Sequence, residues 1–375
     1  MVKPELNELK KLFTPKKCSI NRICGCYVDG EKNVKTTFAE SFLNLPEDET
    51  FKYFEIMRKV LSGSIGKTAL NMEFPTETEQ ESGTQEFLYR LRQSTLKDES
   101  LVYEFFDKVI EHFEYVGNYL ILLIHDTYDV PGKTTDGIIN EDASDTVFDY
   151  ILCAICPVNL TKPALSYDNE SNGFHNRIRD WIVEMPETGF LFPAFNQRAA
   201  DIHSIMYYVK DSEELYDELL DAVLGCVPTL TAKAQKESFQ VLIGQTLDDE
   251  ADFETVNEIY SELTKLEAEH KEQQIAEPLT LDKISVKKLF EQSGVNDEKM
   301  KTFDKVYDET VGEDTELFAG NIHALKTIEV KTPDIVIKVN PERADLIHTK
   351  VIDGRKCLVI EMNDNVELNG LDVTL

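Results

Sequence analysis

Residues 167–208 gather the side chains best suited to chemistry in an otherwise acidic chain: Arg177, Arg179, Arg198, His175, His203, Trp181 and four Phe. Guanidinium groups offer forked donors to phosphates and carboxylates and stack on aromatic rings. Arg177, Arg179 and Asp180 beside Trp181, with Arg198, Asp201 and His203 further along, are therefore candidates for reading an anionic ligand. The plainer alternative is an internal network of these arginines with Asp180 and Asp201, because partly buried charges on neighbouring strands are usually paired.

A second constellation follows an apolar run at 119–124, where His125, Asp126 and Asp129 stand at the end of what reads as a buried strand. Strand ends often expose catalytic or metal-binding groups. They are also where polar side chains simply hydrogen-bond a turn, and no companion histidine stands at a recognisable spacing. A pocket of His125, Asp126, Asp129, Arg177, Arg179, Arg198 and His203 is the enzyme or small-ligand alternative, and its condition is that these side chains converge.

Cys24, Cys26, Cys153 and Cys156 could pair into a four-thiolate zinc site only if both pairs met, yet structural zinc usually uses a gap of two to four residues in each pair. The stretch Ser62-Gly63-Ser64-Ile65-Gly66-Lys67-Thr68 imitates a phosphate loop but has Leu61 where the first glycine is required and follows a helix where that motif follows a strand. A turn between two helices is the expectation there. No catalytic residue, metal or cofactor is assigned.

The elements that must position these groups can be read from periodicity. Residues 5–13 form a short basic helix, and residues 1–36 carry eight Lys or Arg against four Asp or Glu, a net of +4. In a strand over 18–28, Ile20, Arg22, Cys24 and Cys26 share one face and Asn21, Ile23, Gly25 and Tyr27 the other, with Asp29-Gly30 as a hairpin turn. Amphipathic helices fall at 46–61, 84–94 and 99–115. Strands follow at 118–125, 147–157, 181–185, 189–195 and 201–209. Strands that cluster in this way, without alternating with helices, indicate an α+β fold with a mixed or antiparallel sheet flanked by helices.

Residues 231–320 are helical and carry 22 acidic and 10 basic residues, a net of −12. The tract 267–277 before Pro278 reads as a linker or hinge. A C-terminal β-meander then runs through 327–331, 334–339, 346–352 and 356–362, with Asp353-Gly354 as its tightest turn. The domains expected are 1–230, 231–320 and 321–375.

The 375 residues bear a formal net charge of −31, a field that repels phosphate at long range and confines nucleic-acid contact to local basic patches. Seven scattered cysteines indicate reduced thiols, and no apolar run is long enough to span a bilayer, so a cytoplasmic protein is expected.

At Asn21-Arg22-Ile23-Cys24-Gly25-Cys26-Tyr27-Val28-Asp29-Gly30, at 117–126, at 129–136, at Arg177-Ile178-Arg179-Asp180-Trp181 and at 351–360 the chain resembles, nearly end to end, a family of uncharacterised bacterial proteins common in Firmicutes, a domain of unknown function. That resemblance implies a bacterial host and carries no mechanism. The order of elements, with His125 closing a buried strand, Leu224-Gly225, Ala232-Lys233-Ala234-Gln235, an acidic helical stretch and a terminal meander, is similar to that of the bacterial nucleoid-associated NdpA family, which implies association with DNA.

The expectation is a non-catalytic binding protein whose partner is DNA or a protein acting on DNA. Its candidate contacts are Lys10, Lys11, Lys16, Lys17, Arg22, Arg177, Arg179, Arg198 and His203. A solvated surface helix is the plainer reading of the lysines. An interaction scaffold built on the acidic helices, with a homo-dimer through the meander's free edge, is a third reading.

Overall fold

In the computed structural model the apolar run at 119–124 is covered on both sides, as a strand without polar alternation requires. Tyr119, Ile121 and Leu123 enter one hydrophobic core, while Leu120, Leu122 and Ile124 enter another. The structure describes the chain except residues 77–78, 80–81, 134–138, 228, 249–250, 314, 324–327, 341–342, 344–345, 363–365, 369–370 and 374–375, and the side chains of 133, 139–145, 328, 366–368 and 372–373. It divides into two units, Met1–Thr231 and Ala232–Leu375.

The first unit is an antiparallel sheet between two layers of helix. Its strands are β1 (Arg22–Val28), β2 (Val34–Ser41), β3 (Ala69–Glu73), β4 (Asn118–Lys133), β5 (Ile139–Leu160), β6 (Leu165–Asp168), β7 (Gly173–Asn176), β8 (Trp181–Val183), β9 (Thr188–Phe192), β10 (Ala194–Asn196), β11 (Ala199–Asp201) and β12 (Ser204–Val209). The spatial order of the main sheet is β2-β1-β4-β5-β9-β12-β3, with β8 also on β5. Helices α1 (Lys3–Lys10) and α2 (Glu47–Val60) cover one face. Helices α3 (Thr84–Gln93) and α4 (Glu99–His112) and a π-turn at Leu219–Leu224 cover the other. Asp98 caps α4 by accepting from the N–H groups of Ser100 and Leu101, as an N-cap carboxylate does. Gly225, at φ 67°, ends the π-turn in the left-handed region where glycine is unstrained.

Several boundaries move for identifiable reasons. β4 continues past residue 125 because Tyr128 and Val130 prolong the apolar stripe on the α1 side and the ladder to β5 continues to Lys133. The glycine-rich stretch 62–68 leads from α2 into β3, not into another helix, and β3 closes the sheet by pairing with β12. Pro193 splits the stretch 189–195 into β9 and β10, since proline donates nothing to a ladder. The Cys set does not gather: Cys24, Cys26 and Cys153 face the α3/α4 core, whereas Cys156, three residues on from Cys153 in a period-two strand, faces α1 and α2.

The second unit holds α5 (Ala232–Leu247), α6 (Phe253–Glu272), α7 (Lys283–Gln292), α8 (Asp297–Thr310) and the short α9 (Ala319–Ile322) around Phe239, Leu242, Ile259, Leu263, Phe290 and Phe303. The apolar stripe of α6 is its packed side, with Ile259 and Leu263 at its centre. The supposed hinge at 267–277 is in part the last turns of α6, tied down by Glu267 accepting from His323 Nδ1 at 2.8 Å. Antiparallel pairs Ile328–Lys331 with Val336–Val339, Ile347–Ile352 with Arg355–Ile360, and Val366–Leu368 with Leu371–Val373 are separate two-stranded sheets, so among the described residues the expected C-terminal meander is a series of strand pairs. Thr327, the expected first residue of that region, lies outside the described residues. No helix among the described residues is long and apolar enough to cross a membrane.

Candidate functional site

The sheet separates the two residues that sequence places together. His125 and Asp126 are neighbours on β4 and so point to opposite faces: His125 lies with the Arg22 and Ile151 side of the sheet, Asp126 with Tyr150 under α1. Both are about 1% exposed. A single pocket around His125, Asp126, Arg177, Arg179 and His203 is therefore not what the fold builds.

What it does build is a groove of about 540 Å³ between α1 and the middle of β4, lined by Pro4, Glu8, Lys11, Leu12, Lys17 and Ser19 and by Thr127, Tyr128, Asp129 and Pro131. Helix α1 is held there by Leu6 and Leu9, which enter the core beneath it together with Leu12 and Phe13. The apolar side so faces the sheet and leaves Lys11 and Lys17 at the rim, both exposed, as is Lys16. Lys10 is half-buried, and desolvation, then the nearby Lys3 ammonium, lowers its pKa.

Behind the groove wall Asp126 is an acceptor for three donors: Tyr150 Oη at 2.8 Å, Ser19 Oγ at 2.8 Å and the Thr127 N–H at 2.9 Å. Burial pushes its carboxyl above the ordinary aspartate value in spite of these bonds. The same burial, with the Asp126 charge beside it, raises the Tyr150 hydroxyl well above its ordinary value. Cys18 is pushed up to about 11, chiefly by desolvation.

Arg198 comes to this groove, but not as a free cation. Its Nε and Nη2 donate to Glu8 at 2.9 to 3.2 Å, Nη2 also donates to the Pro131 carbonyl at 3.0 Å, and its backbone N–H donates to Glu5. Tyr128 Oη donates to the same Glu8 carboxylate at 2.8 Å, and Tyr128 is pushed up to about 12, first by burial and then by Glu8. Gln197 and Arg198 both have positive φ, 51° and 59°, in the two-residue turn between β10 and β11. Such turns favour Asn and Gly, so the clamp on Glu8 and Glu5 helps to hold a turn that local propensity does not. The expected internal network exists in kind, with Glu8 in place of Asp180 or Asp201.

The remaining candidates disperse. Arg177 and Arg179 lie on an exposed arm after the β6–β7 hairpin, where Arg179 Nε donates to the Thr161 carbonyl at 2.8 Å. That arm joins β5 at 158–160, whereas the groove lies beside the 147–151 stretch. Nine residues of strand, about 30 Å, separate the two basic groups. Arm residues Leu165, Phe174, Ile178 and Trp181 are exposed. His203 stands in a turn with Nδ1 2.8 Å from Glu79, and this hydrogen bond raises its pKa. Arg22 sits on the α3/α4 face, 3.9 Å from Glu99, and its guanidinium opposes the upward push of burial on the Cys24 thiol.

Glu8, Ser19, Tyr128 and Tyr150 escape a reading of the sequence, although Tyr128 and Tyr150 share the parity of Asp126 along their strands, and that signal would have placed them on its face. Among the described residues no three His, Cys, Asp or Glu side chains group in a way that would hold a metal ion.

No curated protein matches the chain. A family model described as a domain of unknown function, DUF4317, matches residues 1–371, and with nearly the whole length covered the chain belongs to that family.

Proposed function

We propose that this protein acts by binding, without chemistry of its own, and that the groove beneath α1 receives a segment of a protein partner. The observation that carries this reading is the mixed lining: Lys11, Lys17 and Asp129 share the groove with Leu12, Tyr128, Pro4 and Pro131, while Glu8 is already paired with Arg198. The Asp129 carboxylate repels a continuous phosphate backbone, whereas a peptide can set opposite charges against the lysines and Asp129 and apolar groups against the rest. A partner that itself works on DNA fits the earlier expectation.

Direct contact with duplex DNA is the second reading, favoured by three exposed lysines, Lys11, Lys16 and Lys17, within seven residues of chain. It has to rely on that patch alone, because Arg198 is engaged by Glu8 and the Arg177/Arg179 arm is distant.

The test compares the full chain with a Lys11→Glu, Lys17→Glu variant in two assays. In the first, partners retained at low and high salt are identified and quantified. A stoichiometric protein lost by the variant supports the groove reading, and one retained equally by both chains refutes it. In the second, a labelled duplex is titrated at several salt concentrations. Binding whose salt slope drops by about two on losing the two lysines selects the DNA reading, and no duplex binding discards it.

A further inference from the structure

On the other face of the sheet a set of buried nitrogens is left over from the internal hydrogen bonding. Arg22 on β1 stands directly opposite His125 on β4 in the antiparallel register, which brings their side chains together on one face. His125 Nε2 is 2.6 Å from Asp149 Oδ1, and Arg92 Nε on α3 is 3.7 Å from Asp149 Oδ2. The Arg92 guanidinium also lies over the Tyr89 ring at 4.6 Å. One row of side chains thus runs Arg22, His125, Asp149, Arg92.

The donors outnumber the acceptors. Arg22 Nε, Arg92 Nε and both ring nitrogens of His125 are buried and make no hydrogen bond within the chain; a neutral imidazole has one N–H, so this row holds three unmet donors. Asp149 is the one carboxylate shared by His125 and Arg92, and Glu99, 3.9 Å from Arg22, is 69% exposed. Buried donors are almost always satisfied, and leaving one unmade costs more than a bond gains. Three such donors in one row call for an acceptor with several oxygens. The His125 side chain is only 2% exposed, but Arg22 is 26% and Asp149 35% exposed, so the row opens to solvent at its edges.

We propose that Arg22, Arg92 and His125 form a binding site for an oxyanion, the carboxylate or phosphate group of a small ligand, on the α3/α4 face of the sheet. Asp149 braces Arg92, whose Nη1 donates to the Asp149 backbone carbonyl at 3.4 Å, and the two guanidinium forks supply the charge. This site is independent of the groove beneath α1, which lies across the sheet, so either can fail without the other.

The experiment titrates the full chain with inorganic phosphate and, separately, with acetate, following the 15N resonances of the His125 ring, identified by their loss in a His125→Gln variant. A saturable shift with phosphate assigns a phosphate site, and one with acetate a carboxylate site. Arg22→Gln and Arg92→Gln then weaken binding about tenfold or more, the value of a charge-assisted hydrogen bond. Where either variant does not fold, Arg→Lys at the same position replaces it: charge is kept, the fork is lost, and the same weakening is expected. No saturable shift with either anion, or undiminished affinity in the folded arginine variants, overturns the proposal and leaves these donors to water.

Discussion

The clamp between Arg198 and Glu8 joins residues 190 positions apart, and it makes a quantitative prediction about how α1 is held. Arg198 is 15% and Glu8 23% exposed, so the pair is neither a surface bridge worth about 0 to 1 kcal/mol nor a dry one whose disruption costs about 3 to 5 kcal/mol. Arg198→Met removes the Nε and Nη2 bonds to Glu8 and the bond to the Pro131 carbonyl, while Glu8 keeps Tyr128 Oη and the Arg198 backbone keeps Glu5. With partial solvation of the abandoned carboxylate, the expected loss is about 2 kcal/mol. A double-mutant cycle with Glu8→Gln should return a coupling energy of about 1.5 kcal/mol. Urea unfolding followed by near-ultraviolet circular dichroism, to which the buried Tyr119, Tyr150 and Tyr207 of the first unit contribute, reads the loss of that unit's packing. A coupling below about 0.5 kcal/mol, the level of an exposed pair, would refute the claim that Arg198 is committed to the fold and would return it to the candidate ligand contacts.

Two further expectations follow from the packing around the same sheet. Because burial raises the folded-state pKa of Asp126 above 3.8, the native state binds this proton more tightly than the unfolded chain. The resulting stabilisation is complete below the unfolded value and fades as pH rises through the folded one. The stability of Asp126→Asn relative to the natural chain should therefore improve as pH climbs from 3.8 towards neutrality, and a difference that stays flat would show that the hydrogen bonds offset the desolvation. A methyl group at Gly189 would collide with the Cys153 carbonyl oxygen and stand 3.0 Å from Val60 Cγ2. Gly189→Ala should then cost about 3 kcal/mol of overpacking, or roughly 6 to 12 °C in Tm for a unit of this size, and a loss under about 2 °C would mean that α2 moves off the sheet easily.

The parts of the fold legible from sequence are those where periodicity is local. The face assignment of β1 holds from Arg22 onward, with Cys24 and Cys26 in one core and Ile23 in the other, because alternation is a property of a single strand; Ile20, expected with the cysteines, precedes the strand at Arg22–Val28 and packs with Ile23. The amphipathic helices expected at 46–61 and 99–115 are found at 47–60 and 99–112 for the same reason, since Phe54, Met57 and Val60 fall on one side of α2 and Leu101, Phe105 and Val109 on one side of α4. By contrast β3 is five residues long and is defined by its partner β12, more than a hundred residues later. Nothing local in Ala69–Glu73 announces it. The crowding of Arg, His and aromatic residues at 167–208 was misleading because nearness along a chain of short strands and turns is not nearness in space: Arg179 reaches a backbone carbonyl on the arm, Arg198 reaches α1, and His203 reaches Glu79.

The dipeptide His125-Asp126 concentrates that lesson and also connects the two candidate sites. In a loop the pair would act together, but in a strand covered on both sides each residue belongs to a different layer. Asp126 is fully supplied with donors by Ser19, Thr127 and Tyr150, so it stiffens the wall of the groove. His125 and its neighbours Arg22 and Arg92 have donors to spare, so their face is the one with capacity for an added acceptor. A chain of net charge −31 repels anions at a distance, and it compensates only locally, with exposed lysines above one face of β4 and half-buried guanidinium groups above the other. Selection between anionic partners must then depend on short-range geometry, namely forked donors against an oxyanion on one side and a mixed-charge rim against a peptide on the other, because the long-range field works against both.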